Sequence, residues 1–439
     1  MLTARTSLGV VFFPAFDWGI SPTHPEREER LLYTQDQFKE EGLFDVCGID
    51  EYSPQVGSLA DVDRVHFCVP DAGRICGSSH LVSLGGAIRA GELVFSGEKE
   101  KALALVRPPG HHAMKVVHGN RGFCDVNITA IMVEYLREKY GPMRVAIVDT
   151  DCHHSDGISD VYWNDPDTLL ISLHQDPRTI FPGTGLPMEL GGPTALGANI
   201  NIPLPPGTGD RGYMYVVENV VLPILDRFKP DLVVNAAGQD SHFSDPLTNM
   251  NLTSRGYAEI TRALGARLTV LEGGYAIHGA LPYTNLAIAL ALGGLNASGV
   301  AEPGLTPNVL RQGQIVSSEV EKICELVLDL ALDPPRASLK GDFVDGWYMR
   351  PKDIYYDTDA IVESQIERVR LCSNCSGLLH IDSWSSVNPL SFCLQIPQAA
   401  CSSCRDEGYD LFSQARRNSN YRYIKLINRK DKEYLAQGF

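Results

Sequence analysis

The sequence predicts an α/β protein whose parallel sheet is covered by helices on both faces, followed by a small cysteine-bearing segment. Short apolar runs alternate with longer amphipathic stretches from residue 1 to about 335. Residues able to do chemistry stand directly after several of those runs. Four cysteines near the end fall into two Cys-x-x-Cys pairs.

The first apolar stretch, Leu8 to Phe16, follows Arg5 and runs into the acidic, proline-containing segment Asp17 to Glu29. No small-residue cleavage site follows it, so it reads as a buried strand and not as a secretory signal. Further strand-like runs stand at Leu103–Val106, Val145–Val148, Leu169–Leu173, Leu232–Ala236 and Leu268–Leu271. Helix-like stretches fall near Leu81–Val94, Ile128–Lys139, Tyr213–Phe228 and Glu259–Leu264. Near-continuous apolar strands alternating with helices imply a parallel sheet buried on both sides. In such sheets the chemistry gathers beyond the carboxyl ends of strands. Asp149, His174, Asp240 and Glu272 each lie there.

A last core helix is expected from Ser318, where Glu321 completes a capping box, to Pro334-Pro335. Residues 1–335 therefore read as a catalytic unit. Residues 336–370, with Trp347, Tyr348, Tyr355 and Tyr356, read as a connector that packs back on the core. Residues 371–439 hold the cysteine pairs and a tail.

Composition narrows the class. A chain that is 44% hydrophobic and 21% charged is ordinary for a soluble globular protein. Its net charge of −16 weighs against a general nucleic-acid binder, which works by neutralising phosphates. The same charge is compatible with a cationic substrate. No apolar run reaches the roughly 18 residues that a membrane span needs. Eleven cysteines, an odd number with four in pairs, point to reduced thiols, metal binding and a cytoplasmic compartment. An oligomer is compatible with the sequence.

Four motifs carry chemistry. Arg107-Pro-Pro-Gly-His111-His112 places two histidines on a pinned turn after a strand, and imidazole titrates near neutral pH. In Asp149-Thr-Asp151-Cys-His153-His154-Ser-Asp156, strand alternation points Asp149, Asp151 and His153 the same way. Gly238-Gln-Asp240 then supplies a third ligand, so that two carboxylates and one imidazole suit a catalytic zinc with an open position. Asp149 and Asp156 remain as partners that orient His111 and His112. Finally, Glu272-Gly273-Gly274-Tyr275 brings a hydroxyl close to a substrate carbonyl, with Gly274 beside it.

With RPPGHH, DxDxHHxDG, GxDxHxxDPL and GGY in this order, residues 8 to about 330 resemble the histone deacetylase superfamily. That superfamily includes acetylpolyamine amidohydrolases and acetoin-utilisation proteins. The resemblance implies an arginase-like α/β/α fold with an eight-stranded, mostly parallel sheet. It implies zinc on Asp151, His153 and Asp240, His112 as general base and acid, His111 as its electrostatic partner, and Tyr275 polarising the acyl carbonyl. Gly122 and Phe123 resemble one wall of the acyl tunnel, and Phe181 the opposite wall. Leu247 resembles the residue at the tunnel mouth, and Arg30 the arginine of an acetate-release channel. A potassium ion is implied on Asp149, Asp151, His153, Ser172 and Leu173, and a more peripheral cation on Tyr162, Asp165 and Thr168. Asp125-Val-Asn127 departs from the family, where an aromatic commonly follows Gly-Phe-Cys, and Gln239 replaces a commoner phenylalanine.

Cys372-Ser-Asn-Cys375 and Cys401-Ser-Ser-Cys404, with 25 residues between them, resemble a zinc ribbon holding a second, structural zinc. Cys393 and His380 lie between the pairs as alternative ligands. The tail after residue 404 has eight Lys or Arg against five Asp or Glu, too small an excess to indicate nucleic-acid binding.

The expected reaction is hydrolysis of an acyl amide on lysine in proteins or peptides. A deacetylase of small acylated amines such as acetylpolyamines is the alternative, and a non-catalytic acyl-lysine reader is a third reading. A reader has no need of Tyr275 and both histidines. A two-metal hydrolase of the arginase class needs a carboxylate where His242 stands. Polyamine specificity favours an acid at the position of Leu247.

Overall fold

The structure, a computed structural model, describes residues 2–438. The catalytic unit is built on eight strands: β1 (Thr3–Phe13), β2 (Cys47–Tyr52), β3 (Lys101–Val106), β4 (Val145–Asp149), β5 (Thr168–Gln175), β6 (Asn199–Leu204), β7 (Leu232–Ala237) and β8 (Leu268–Leu271). They form one all-parallel sheet in the order β2-β1-β3-β8-β7-β4-β5-β6.

Side-chain alternation divides the core into two layers. Leu103, Leu105, Ala146, Val148, Ile171 and Leu173 face the helices Glu29–Glu40, Ser254–Leu264 and Leu281–Leu292. Ala102, Ala104, Val145, Ile147, Leu170 and Val234 face Ser78–Phe95 and Ile128–Tyr140. Every residue of β4, β5 and β6 is buried, as expected of strands covered on both faces.

The expected strands and helices are present with shifted ends. The last core helix spans Gln314–Leu332, beginning four residues before Ser318 behind the N-cap Gly313, so the predicted capping box is not used. Two strands of this sheet are not marked by an apolar run: β2, an edge strand with one buried residue, and β6, whose asparagines break the apolar pattern.

The larger correction concerns residues 336–370. They supply strands β9 (Asp342–Val344), β10 (Trp347–Tyr356) and β11 (Ile361–Arg370), which continue through β12 (Leu379–Ser385), β13 (Ser391–Ile396), β14 (Tyr423–Asn428) and β15 (Glu433–Gly438). All seven make one sheet in sequential order, so no boundary falls at residue 370. The pairing is antiparallel except β13 with β14, which the helix Ser402–Ala415 connects. The segment does pack on the core as expected. Tyr348 and Val369 pack with Phe67, Val69 and Val116, while Ile354, Tyr356 and Ile361 pack on Met114. Among the described residues no helix is long and apolar enough to cross a membrane.

Candidate active site and metal centres

The carboxyl ends of β3, β4, β7 and β8 converge on one pocket. Donor atoms of Asp151, His153 and Asp240 lie within 4.8 Å of one another. His153 Nδ1 is 2.9 Å from Asp240 Oδ2 and 3.1 Å from Asp151 Oδ1. Backbone donors orient both acids. Cys152 N–H donates to Asp240 Oδ1 at 2.8 Å, and Gly273 N–H to Asp151 Oδ2 at 2.7 Å. The loops approach so closely that a Cβ on Gly238 would stand 2.0 Å from Asp151 Oδ2, and one on Gly273 2.5 Å from both acids. Two carboxylates and one imidazole, pre-oriented in this way, fit the donor set of a catalytic zinc.

The two histidines beside them have opposite electrostatics. His111 Nδ1 pairs with Asp149 at 3.1 Å. Burial opposes its charge, but Asp151 and Asp149 outweigh burial and hold its pKa well above the ordinary value. His112 Nδ1 pairs with Asp156 at 2.7 Å. Burial and the neighbouring His111 push its pKa down to about 3, against the attraction of Asp156. Asp156 also accepts from the Arg121 guanidinium, at 2.6 and 3.0 Å. Arg121 is thus a functional residue that the sequence reading missed.

Tyr275 is 7% exposed, and burial raises its pKa well above the ordinary value, so it remains an O–H donor. Its backbone N–H donates to Asp245 Oδ2 at 2.7 Å, and Asp245 Oδ1 accepts from Leu247 N–H at 2.9 Å. Asp245 therefore ties Leu247, which is 39% exposed, to the tyrosine turn. Phe123 lies 5.8 Å from the Tyr275 ring and Phe181 5.0 Å from His112, flanking the pocket from two sides. Glu272 was noted only for its place after a strand. It accepts from the N–H groups of Gly110 and His111 at 2.8 and 3.1 Å, and burial raises its pKa to about 7.

Arg30 is fully buried. Its guanidinium donates to Gly274 C=O (2.7 Å), Glu272 C=O (2.6 Å) and Glu26 (2.6 Å), and it lies 4.8 Å from the Tyr275 ring centroid. The structure therefore gives Arg30 and Gly274 a bracing role beneath Tyr275. Glu26 also holds Arg107, so one carboxylate serves two buried guanidiniums. Burial alone would raise the Glu26 pKa, but Arg107 and then Arg30 hold it below its ordinary 4.5. Glu26→Gln leaves both cations without a counter-charge and should cost about 3–5 kcal/mol at pH 7. Because the folded pKa is the lower one, this stability is present above about 4.5 and lost as pH falls through the folded value. The deficit of the variant in urea melts should therefore shrink near pH 3. An equal deficit at both pH values would contradict the assignment.

Asp125, where the family commonly has an aromatic, pairs with His80 at 2.7 Å and Asn120 at 2.8 Å, and Asn127 caps the helix Ile128–Tyr140. Asp149 and Ser172 are neighbours across β4 and β5, as the expected potassium site requires, and the Ser172 hydroxyl lies 2.9 Å from His174 Nδ1. The residues expected at the peripheral cation site gather around Arg137. Arg137 donates to Asp165 at 2.8 Å and Thr168 at 2.9 Å and lies over the Tyr162 ring, so a guanidinium supplies the positive charge there.

Cys372, Cys375, Cys401 and Cys404 bring their sulfurs within 4.8 Å of one another. Backbone N–H groups of Asn374, Gly377 and Cys404 point at the sulfurs of Cys372, Cys375 and Cys401 at 3.4, 3.3 and 3.5 Å, a setting that favours thiolate ligands. Neither alternative ligand joins them: His380 pairs with Asp382, and Cys393 is buried within the sheet.

A parallel α/β/α core with an Asp–His–Asp donor set, two histidine–carboxylate pairs and a buried tyrosine is the arrangement of a hydrolytic site. Comparison with known proteins gives the same class. The histone deacetylase domain matches residues 74–290. A "Probable deacetylase" of Archaeoglobus fulgidus is 45% identical over 310 residues, covering 64% of this chain and 85% of that protein. The acetoin utilization protein AcuC of Bacillus subtilis is 30% identical over 313 residues, 62% of this chain and 78% of its own. The crystal structure of the HDA15 HD domain is similar with a TM-score of 0.61 at 25% identity, covering 75% of this chain and 97% of that one. The chain belongs to the histone deacetylase family and is a hydrolytic enzyme.

Proposed function

We propose that this enzyme removes an acetyl-type group from lysine in proteins or peptides, with zinc at Asp151, His153 and Asp240. The observation that carries the reading is the pair of histidine–carboxylate contacts, His112 with Asp156 at 2.7 Å and His111 with Asp149 at 3.1 Å, set against a three-donor metal centre and the buried Tyr275. Zinc held there supplies Lewis acidity toward a water and an amide carbonyl. His112 donates its Nδ1–H in a hydrogen bond to Asp156, which leaves Nε2 as the base that takes a proton from water and later passes it to the departing amine. Protonated His111 adds positive charge beside the developing oxyanion. Tyr275 donates its O–H to that oxygen. Phe123 and Phe181 line the methylenes of the lysine stem and keep water from them.

Potassium on Asp149, Asp151, His153, Ser172 and Leu173 and a structural zinc on the four cysteines belong to the same proposal. A cytoplasmic location is consistent with eleven cysteines that form no disulfide.

Deacetylation of a small amine is the competing reading, and the charge of −16 favours it by attracting polyamines. Leu247 favours the lysine substrate, because an apolar residue offers nothing to a second ammonium group. A carboxylate there would gain about 1 kcal/mol at a wet site. Leu247→Glu should therefore raise kcat/KM for acetylspermidine by about five- to tenfold and lower it for acetyl-lysine peptides. The comparison is made at high salt, which removes long-range steering. A wild-type preference for acetylspermidine over every acetyl-lysine peptide would overturn the reading.

A further inference from the structure

We propose that Asp357 and Asp359, on the β10–β11 hairpin of the C-terminal sheet, are positioning residues for the deacylation reaction, holding the tunnel-wall turn against the general base. The proposal rests on the deacylase reading above.

The turn is Arg121-Gly122-Phe123-Cys124. Arg121 N–H donates to Cys124 C=O at 3.1 Å, and Cys124 N–H to Arg121 C=O at 2.9 Å. The two central residues are left-handed, with φ +51° at Gly122 and +68° at Phe123. A two-residue turn with both φ values positive suits glycine or asparagine, and a phenylalanine in it costs roughly 1–2 kcal/mol. Such a conformation persists only where its surroundings over-determine it. It also has no slack toward the catalytic side. A Cβ on Gly122 would stand 2.5 Å from the His112 ring and 2.8 Å from Phe181.

The hold comes from the other sheet. Asp357 Oδ1 accepts from Gly122 N–H at 2.9 Å, and Asp359 Oδ2 from Asn120 N–H at 2.6 Å. Between them the Arg121 guanidinium bridges Asp156 and the Tyr355 carbonyl, and so links the hairpin to the partner of His112. The fit is close: a Cβ on Gly119 would lie 2.5 Å from Asp359 Oδ2. The hairpin is itself fixed to the catalytic unit, since the Tyr356 hydroxyl donates to Val116 C=O at 2.8 Å and Ile354 and Ile361 pack on Met114. The cysteine-bearing sheet thus completes the tunnel wall from outside the catalytic sheet.

The test compares Asp357→Ala with Asp357→Asn, and Asp359→Ala with Asp359→Asn, in the full metal-loaded chain. Asparagine keeps an acceptor oxygen and alanine removes it. Losing a hydrogen bond to a charged acceptor should lower kcat on an acetyl-lysine peptide about tenfold or more, with KM changing less. The asparagine variants should stay within about threefold of wild type. Hydrogen exchange at the amides of residues 119–123 should quicken in the alanine variants and not in the asparagine ones, with zinc content unchanged. Unaltered kcat and exchange in both alanine variants would overturn the proposal, as would equal losses in alanine and asparagine that follow the fall in thermal stability. A wild type that turns over no acyl-lysine would overturn the deacylase reading instead, and the exchange measurement still decides whether the hairpin holds the turn.

Discussion

Asp240→Ala is expected to take deacylase turnover to background and to lower the zinc content from two ions per chain to one. Asp240 is fully buried, and one of its oxygens lies 2.9 Å from His153 Nδ1 while the other is fixed by the Cys152 N–H. Alanine leaves a single carboxylate and an imidazole, too few donors for a zinc that must keep one position open. The cysteine cluster lies in the other sheet and shares no residue with this centre, so its ion should remain. Metal analysis of the purified variant checks both halves. The converse variant, Cys404→Ser, should lose the other ion and destabilise the C-terminal sheet, because a closed four-thiolate site contributes folding energy directly. Wild-type protein that binds two manganese ions and no zinc would refute the chemistry assigned to Asp151, His153 and Asp240.

Tyr275→Phe should lower kcat by about 10² to 10³ while KM for acetyl-lysine peptides changes far less, as loss of one oxyanion donor does. The ring should not move. Arg30 lies 4.8 Å from its centroid, Phe123 packs edge-on at 5.8 Å, and the backbone N–H is held by Asp245 at 2.7 Å. The substitution therefore removes the hydroxyl and leaves its setting. Since burial keeps that hydroxyl protonated well above pH 10, the wild-type pH profile should show no ionisation of Tyr275 below that pH. Steady-state kinetics from pH 6 to 9 test both statements. Turnover equal to wild type would show that Tyr275 does not face the substrate.

The chemistry of this site is legible in the chain because each motif is local. Asp151 and His153 are two residues apart at a strand end, His111 and His112 are adjacent, and Tyr275 follows two glycines. Strand alternation and turn chemistry then say which side chains share a direction. The apolar runs of β3, β4, β5, β7 and β8 are equally direct, since strands buried on both faces are apolar over most of their length. Where burial is one-sided the signal fades. β2 has one buried residue, and in β11 the polar Glu363, Gln365 and Glu367 sit on the buried face with Ile361 and Val369, so the apolar alternation that marks a half-buried strand is missing.

The sequence by itself determined the parallel α/β core, and its motifs single out Asp151, His153 and Asp240, the two histidines with their carboxylates, and the two cysteine pairs. Only the tertiary structure decided how these groups are charged and supported. Arg121 stands beside the Gly122-Phe123 motif in sequence, yet nothing local shows that its guanidinium reaches the carboxylate that pairs with His112. Arg137 reaches Asp165 and Thr168 from a helix about thirty positions away. Asp357 reaches Gly122 across 235 positions of chain. Each of these rests on desolvation or on a contact between distant segments, and both exist only once the chain has closed on itself.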